Sequence, residues 1–444
     1  MNRFPLLSKT MMAGLMAILL LIPLHLIESK IAERQGLQHS VQQDIARSSA
    51  GPQTIGGPYL VIKYRVRTHK TVKDKDGNEK VYTSESATME QVIPPRNLKI
   101  DGQTSVETRK RGIYEAQVFN LDSTITGDFA IPAGYGVNNS VNNIIPESAW
   151  FVMGVSDSRG ILSAAPLTLN GNNLEFAPGS ISPVSGNGIH VQLNVPEIGQ
   201  THEYHFSFPF SLQGMSTLSV IPAGNNTEMT LKSPWPHPSF GGDYLPRSRT
   251  VDASGFSAEW TVSNLAHNTA SGADAVIPGK QETFSVSFID PVNIYLMSER
   301  AIKYGVLFVV LVFTSFFMFE ILRGLRIHPL QYLLVGLAMA MFFLLIISLS
   351  EHIPFLPAYA ISGAACSVLI GAYLAGVLKN RKLATGFAGG IALLYAVLFG
   401  VLKSEDNALL MGTAILFTAL AAVMLLTRHM DWYRLGSTPI TAAE

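Results

Sequence analysis

Six stretches of this chain run long enough without Asp, Glu, Lys or Arg to cross a bilayer, and they constrain everything else. The first, "TMMAGLMAILLLIPLHLI", spans Thr10 to Ile27. The other five follow from Tyr304 onward: "YGVLFVVLVFTSFFMF", "LQYLLVGLAMAMFFLLIISL", "AYAISGAACSVLIGAYLAGVL", "LATGFAGGIALLYAVLFGVL" and "ALLMGTAILFTALAAVMLLT". Each approaches the about 20 residues a helix needs to span the hydrocarbon core. The expected spans are 10–27, 304–322, 330–349, 358–378, 383–402 and 408–427. A charged fraction of only 14% is low for a soluble protein of this size. The formal net charge is zero, so no global field favours nucleic acid, and no nucleic-acid partner is expected.

The first run is read as an uncleaved anchor. It is longer than an ordinary signal h-region, and no A-x-A-like site follows it. Orientation follows from Lys and Arg, which cytoplasmic loops retain. Arg3 and Lys9 put residues 1–9 inside, so 28–300 is expected in the periplasm. Arg323 and Arg326 then lie inside, "SEHIPFLP" outside, Lys379, Arg381 and Lys382 inside, "KSEDN" outside, and the tail 428–444 inside. The single cysteine, Cys366, falls in the fourth span, so the exported region has no disulfide and must be held by its own core.

Between 57 and 291 the apolar pattern has period two. In "PYLVIKYRVRTHK", Leu60, Ile62, Tyr64 and Val66 alternate with Lys63, Arg65 and Arg67, and the turn "KDKDGNE" leads into a second strand. About a dozen such runs, punctuated by Asn-Gly and Pro-Gly pairs, predict an antiparallel sandwich or two stacked β subdomains. Residues 28–48 differ: Leu37, Val41 and Ile45 recur every four positions and Gly51-Pro52 ends the run, which predicts a stalk helix with one stripe packed on the β-rich region. The fold class is therefore an α+β membrane protein. It has an N-terminal span, a large antiparallel β-rich periplasmic domain and a C-terminal bundle of five spans.

The residues offer little chemistry. His202 and His205 are the closest histidine pair and would point to opposite faces of a strand, so no metal site is expected. There is no G-x-S-x-G elbow and no phosphate-binding loop. "VSDSRGI" gathers Ser156, Asp157, Ser158 and Arg159 without a histidine and reads as a polar turn. No catalytic residue and no cofactor are expected. Within the spans Glu320 is read as pairing locally with Arg323, while Glu351, His352 and Lys403 sit at span ends within reach of water. Stripes of small residues predict close helix packing: Gly363, Ser367, Gly371 and Ala375 on the fourth span, Gly386 and Gly390 on the fifth, and Ala414, Thr418 and Ala422 on the sixth.

One segment combines stiffness with aromatics. "KSPWPHPSFGGDYLPR" sets Pro234, Pro236, Pro238 and Pro246 around Trp235, His237, Phe240 and Tyr244. The prolines preset an extended backbone. The segment is read either as a rigid structural loop or as a partner-binding edge, with Trp235, His237, Pro238, Phe240 and Tyr244 as the contact residues.

That segment, with "SSAGPQTIGGPYLVI", "RKRGIYEAQVF", "VSDSRGI", "HPLQYLLVGLAMAMFFLLIISLSEH" and "RHMDWY", resembles the CreD family of bacterial inner-membrane proteins, in order from Pro5 to Tyr433. The resemblance implies a cell-envelope integrity protein of the Gram-negative inner membrane, linked to CreBC two-component signalling, stress response and colicin tolerance. It brings no catalytic residues. The expected function is a non-enzymatic envelope protein with an unidentified periplasmic or envelope protein partner. The alternative is a transporter or lipid-handling permease, and the sequence leaves oligomeric state open. Protease added to inverted inner-membrane vesicles should leave the stretch around Pro238 intact. Cleavage there from the cytosolic face would reverse the orientation.

Overall fold

The computed structural model describes residues 5–73, 79–137, 140–179, 187–266, 282–289, 294–323, 327–404 and 408–428. The chain divides into two units, Met1–Gln38 with Val292–Glu444, and His39–Pro291.

The second unit is built of β-strands. In chain order they are β1 (Gln53–Lys73), β2 (Glu79–Glu85), β3 (Met89–Ile93), β4 (Asn97–Arg111), β5 (Tyr114–Ile131) and β6 (Ile144–Val155). Next come β7 (Ile161–Ala164), β8 (Leu167–Leu169), β9 (Asn172–Leu174), β10 (Ala177–Pro178), β11 (Gly188–Leu193) and β12 (His202–Met215). The last are β13 (Thr217–Val220), β14 (Asn226–Ser233), β15 (Pro238–Gly242), β16 (Ser248–Asp252), β17 (Gly255–Ser263) and β18 (Phe284–Phe288). One sheet runs β10-β11-β6-β1-β13-β18-β15, with β2 and β3 also on β1. The other runs β16-β17-β14-β4-β5-β12-β8-β9, with β7 on β12.

The sheets are mostly antiparallel, but the all-antiparallel expectation fails at two pairings: β1 lies parallel to β13, and β4 parallel to β14. Both join strands far apart in sequence, so no local turn fixes their direction. Along β14 burial alternates strictly, with Thr227, Met229, Leu231 and Ser233 inward. β1 departs from alternation. Tyr59, Leu60, Val61 and Ile62 are all buried, where β1 pairs with β3 and β6.

The inner faces of the two sheets share one core. Phe151 of β6 is its hub, with ring centroids 6.1 Å from Phe129, 5.4 Å from Phe206 and 5.7 Å from Phe208, each edge to face. Trp260 of β17 stacks on Phe284 of β18 at 5.6 Å. Edge-to-face and offset contacts suit the ring quadrupoles and add to the area buried.

The helix α1 (Pro5–Ser49) is continuous, with Pro23 inside it. Its last turns belong to the β-rich unit, where Ile45 and Val41 pack on Ala116, Val118 and Met215. Leu37 is 44% exposed, so the packed stripe is shorter than its spacing implied.

The other unit is helical: α2 (Ile294–Arg323), α3 (Pro329–Ser350), α4 (Phe355–Leu378), α5 (Arg381–Lys403) and α6 (Ala408–Thr427). Among the described residues five helices are long and apolar enough to cross a membrane, and α6 contributes a shorter apolar segment, Leu410–Leu425. Local chemistry sets the starts. Pro329 opens α3 behind His328, whose ring accepts from Leu330 N–H while Gln331 accepts from the His328 N–H. Asn380 caps α5, accepting from Lys382 and Leu383 N–H. Phe342 stacks on Tyr395 at 3.9 Å and meets Tyr359 edge-on at 5.2 Å, locking α3, α4 and α5 together.

Phe151→Ala should destabilise the β-rich unit by about 3–5 kcal/mol, because a fully buried ring leaves a cavity the two sheets cannot close. Thermal unfolding of the purified full-length chain would read this, and an unchanged transition would remove Phe151 from its place as hub.

Candidate functional site

The proline-rich stretch forms an edge of the first sheet. Pro238–Gly242 is β15, paired antiparallel with β18 from Pro238↔Phe288 to Gly242↔Phe284. Its aromatics are turned to internal use. Trp235 Nε1 donates to the carbonyls of His237 (3.1 Å) and Ile289 (3.2 Å). Phe240 lies 5.5 Å from Phe256 and 5.8 Å from Trp260, and the Arg249 guanidinium sits 5.7 Å above its ring. The Tyr244 hydroxyl donates to Glu282 and lies 3.2 Å from the Ala266 carbonyl. Burial, together with the Glu282 carboxylate, pushes that hydroxyl well above the ordinary tyrosine range. His237 meets Trp235 edge-on at 6.4 Å.

The "VSDSRGI" turn fastens the end of α1. Gln53 is almost wholly buried, and its Nε2 donates to the carbonyls of Asp157 (3.0 Å) and Gln213 (3.3 Å). Its Oε1 accepts from the Asp157 N–H at 3.3 Å and lies 3.1 Å from Ser156 Oγ. Asp157 binds Arg159 through Nη2 at 2.5 Å, and the same guanidinium donates to the Arg47 carbonyl in the last turn of α1. Arg109 reaches Ser49 Oγ at 2.6 Å. The last carbonyls of a helix have no partner within it, and Arg159 supplies one for Arg47, while Arg109 holds the Ser49 hydroxyl beside it. Gly160 is required here, since a Cβ would lie 2.3 Å from the Gln213 carbonyl and 2.4 Å from Gln53 Nε2. Gln53 was invisible in sequence, for a lone glutamine in a strand carries no signal of burial.

In the helical unit two polar groupings mark opposite ends. At one end the Glu351 side chain is only 9% exposed and pairs with Arg34 Nε at 3.4 Å, while the Tyr295 hydroxyl donates to it at 3.2 Å. Beside it Glu299 binds Gln35 at 3.3 Å and Lys303 at 2.8 Å. Glu351 therefore does not reach into water as its span-end position implied: α1 and α2 close over it. At the other end Glu320 is buried and accepts from the Tyr332 hydroxyl at 2.9 Å and the Ile327 N–H at 3.4 Å. With Met12, Met16, Phe317, Ile327, Pro329 and Tyr332 it lines a cavity of about 90 Å³. The Arg323 side chain expected beside it lies outside the described residues.

The small-residue stripes divide. A Cβ on Gly371 would lie 2.8 Å from Ala388, and one on Gly363 3.7 Å from Tyr395, so α4 and α5 do approach closely there. Ser367 is buried on the same face, and Ala375 is half-buried. Gly386 and Gly390 are different: among the described residues nothing lies within 4 Å of a Cβ on either. Ala414, Thr418 and Ala422 are exposed on α6. Spacing finds small residues but not which face a neighbour covers. Close approaches at Gly305 and Gly336 were missed, each glycine standing alone in its span: a Cβ added there would lie 2.8 Å from Phe343 and 2.0 Å from Leu20.

No group of three or more His, Cys, Asp or Glu side chains that could hold a metal occurs among the described residues. His202 and His205 face different partners, the Glu197 carbonyl at 2.8 Å for the first and Asn170, through the backbone N–H, for the second.

A family model described as "Inner membrane protein CreD" matches residues 5–433. Inner membrane protein CreD of Escherichia coli (strain K12) is 38% identical over 434 residues, covering 96% of this chain and 94% of its own length. Among solved structures, an M1 zinc metallopeptidase from Deinococcus radiodurans covers 44% of this chain at 10% identity and a TM-score of 0.21. The chain spans under half of that structure, 43%, and a likeness at this score carries no argument.

The Arg159 guanidinium holds the Asp157 carboxyl below the ordinary carboxylate range. A depressed folded pKa adds stability that is complete above the unfolded value, about 3.9, and is lost as pH falls through the folded one. The wild-type chain should therefore unfold at higher temperature than Asp157→Asn near neutrality, with the gap closing only below about pH 4. Thermal unfolding at several pH values checks this, and a gap independent of pH would assign the effect to packing instead.

Proposed function

The chain belongs to the CreD family of inner membrane proteins, and from that membership we propose a non-enzymatic, multi-pass envelope protein whose β-rich unit works in the periplasm. In this reading the helices hold the chain in the inner membrane with both termini cytoplasmic. The β-rich unit meets an envelope partner and so contributes to envelope integrity, within the CreBC-linked stress response and colicin tolerance that the family resemblance implies. The distribution of Lys and Arg among the loops supports the orientation. The polar side chains that could have served chemistry, in the Ser156–Arg159 turn, are engaged in fastening α1.

The observation that carries the reading is the corner where both sheets end. β15 is the last strand of one sheet and β16 the last of the other, and the two are consecutive in the chain. Arg249 of β16 over Phe240 of β15 ties them. Every residue of β16 is exposed, with Val251 at 47%. Among the described residues the outer side of each strand pairs with no other strand. Such an edge is a template for adding a strand from a partner. Trp235 and Phe240 brace it from inside, so a contact here is made through backbone and the β16 side chains rather than through the aromatics.

Placing charge on the edge, as in Thr250→Glu with Val251→Lys, should impair envelope phenotypes while leaving protein abundance unchanged. Trp260→Ala, which strikes the core behind the edge, should lower abundance instead. Wild-type phenotypes in the edge variant at normal abundance would sink the proposed contact.

A further inference from the structure

Gly386 and Gly390 lie in a groove. α5 presents Lys382, Gly386, Gly390 and Leu394 at intervals of four residues, and α2 forms the opposite wall with Val312 and Ser315. The groove encloses about 480 Å³, within the range of pockets that hold small ligands. Its depth comes from the glycines: a side chain at 386 or 390 would fill it, and nothing else occupies that space. Phe316 against Phe387, at 4.8 Å, holds α2 and α5 together beside it. The Ser315 hydroxyl is spent on the Leu311 carbonyl, so the walls offer hydrocarbon.

Only one end is charged. Lys382 lines the groove mouth, with Arg381 beside it in α5 and Lys379 at the end of α4, and all three are exposed without an ion pair among the described residues. The α5 N–H groups beside them are already capped by Asn380, so the side chains rather than the helix end provide the positive site. The twelve helical steps from Lys382 to Leu394 rise about 18 Å, somewhat more than half of the roughly 30 Å hydrocarbon core. A charged mouth at a span end and an apolar groove of about one leaflet's length suit a molecule with an anionic head and a hydrocarbon tail.

We propose that this groove binds an anionic phospholipid, one acyl chain lying along Gly386 and Gly390 and the phosphate on Lys382. Clusters of Lys and Arg at a span end attract anionic headgroups, and the groove adds a fixed place for the chain. The site is independent of the sheet edge proposed as a partner contact.

Native mass spectrometry of the purified full-length chain, with phosphatidylglycerol or phosphatidylethanolamine added back after delipidation, tests this. One phosphatidylglycerol should be retained in preference to phosphatidylethanolamine. Lys382→Ala should weaken that retention about fivefold, and Lys382→Arg should keep it. Gly390→Leu should abolish it. Gly389→Leu, equally uncrowded but outside the groove, should leave it intact and so controls for folding. Equal retention of both lipids, or retention by Gly390→Leu, would overturn the proposal. So would a wild-type dimer that holds no lipid and falls apart on Gly390→Leu, which would make the groove a contact between two copies.

Discussion

Hydrocarbon accepts and donates no hydrogen bonds, so any segment lying in it must satisfy its own backbone. The apolar runs of this chain can do so only as helices, and the helices they form leave large apolar side chains such as Phe417 and Val368 exposed. The stretch between α1 and α2 satisfies its backbone differently, through strand pairing, and its strands turn their apolar faces toward one another. They do so by closing two sheets over Phe151, Phe129, Phe206 and Phe208.

Polar groups in both units hold the elements in register. In the β-rich unit the Arg47 carbonyl in the last turn of α1 is answered by Arg159, and the turn that carries Arg159 is anchored on buried Gln53. In the helical unit a carboxylate that could have faced water is closed in by Arg34 and Tyr295. A buried charge persists only when it is paired and hydrogen-bonded. Each of these groups therefore specifies which helix or strand must be its neighbour, something the non-directional hydrophobic drive does not do.

Much of this was legible in advance. Helical runs and alternating runs differ in period, and period survives in any environment, so the division into apolar helices and a β-rich stretch was readable from spacing alone. The polar-turn reading of Ser156–Arg159 followed from residue types that bond their own backbone, and Asp157 accepts from the Arg159 N–H. The proline-rich stretch was readable as stiff and extended, but not as an edge strand with its aromatics turned inward. That depended on β18, more than forty residues further along the chain.

Sequence by itself determined what each segment had to become, because helix, strand and turn follow from local geometry and from the demand that backbone polar groups be satisfied. Tertiary structure alone decided the neighbours: that β1 runs parallel to β13, that Glu351 is enclosed, and that Gly371 meets a helix while Gly386 and Gly390 meet open space. The physical reason is that pairing, enclosure and vacancy belong to two or more elements at once. No pattern along one segment records which face the other will cover.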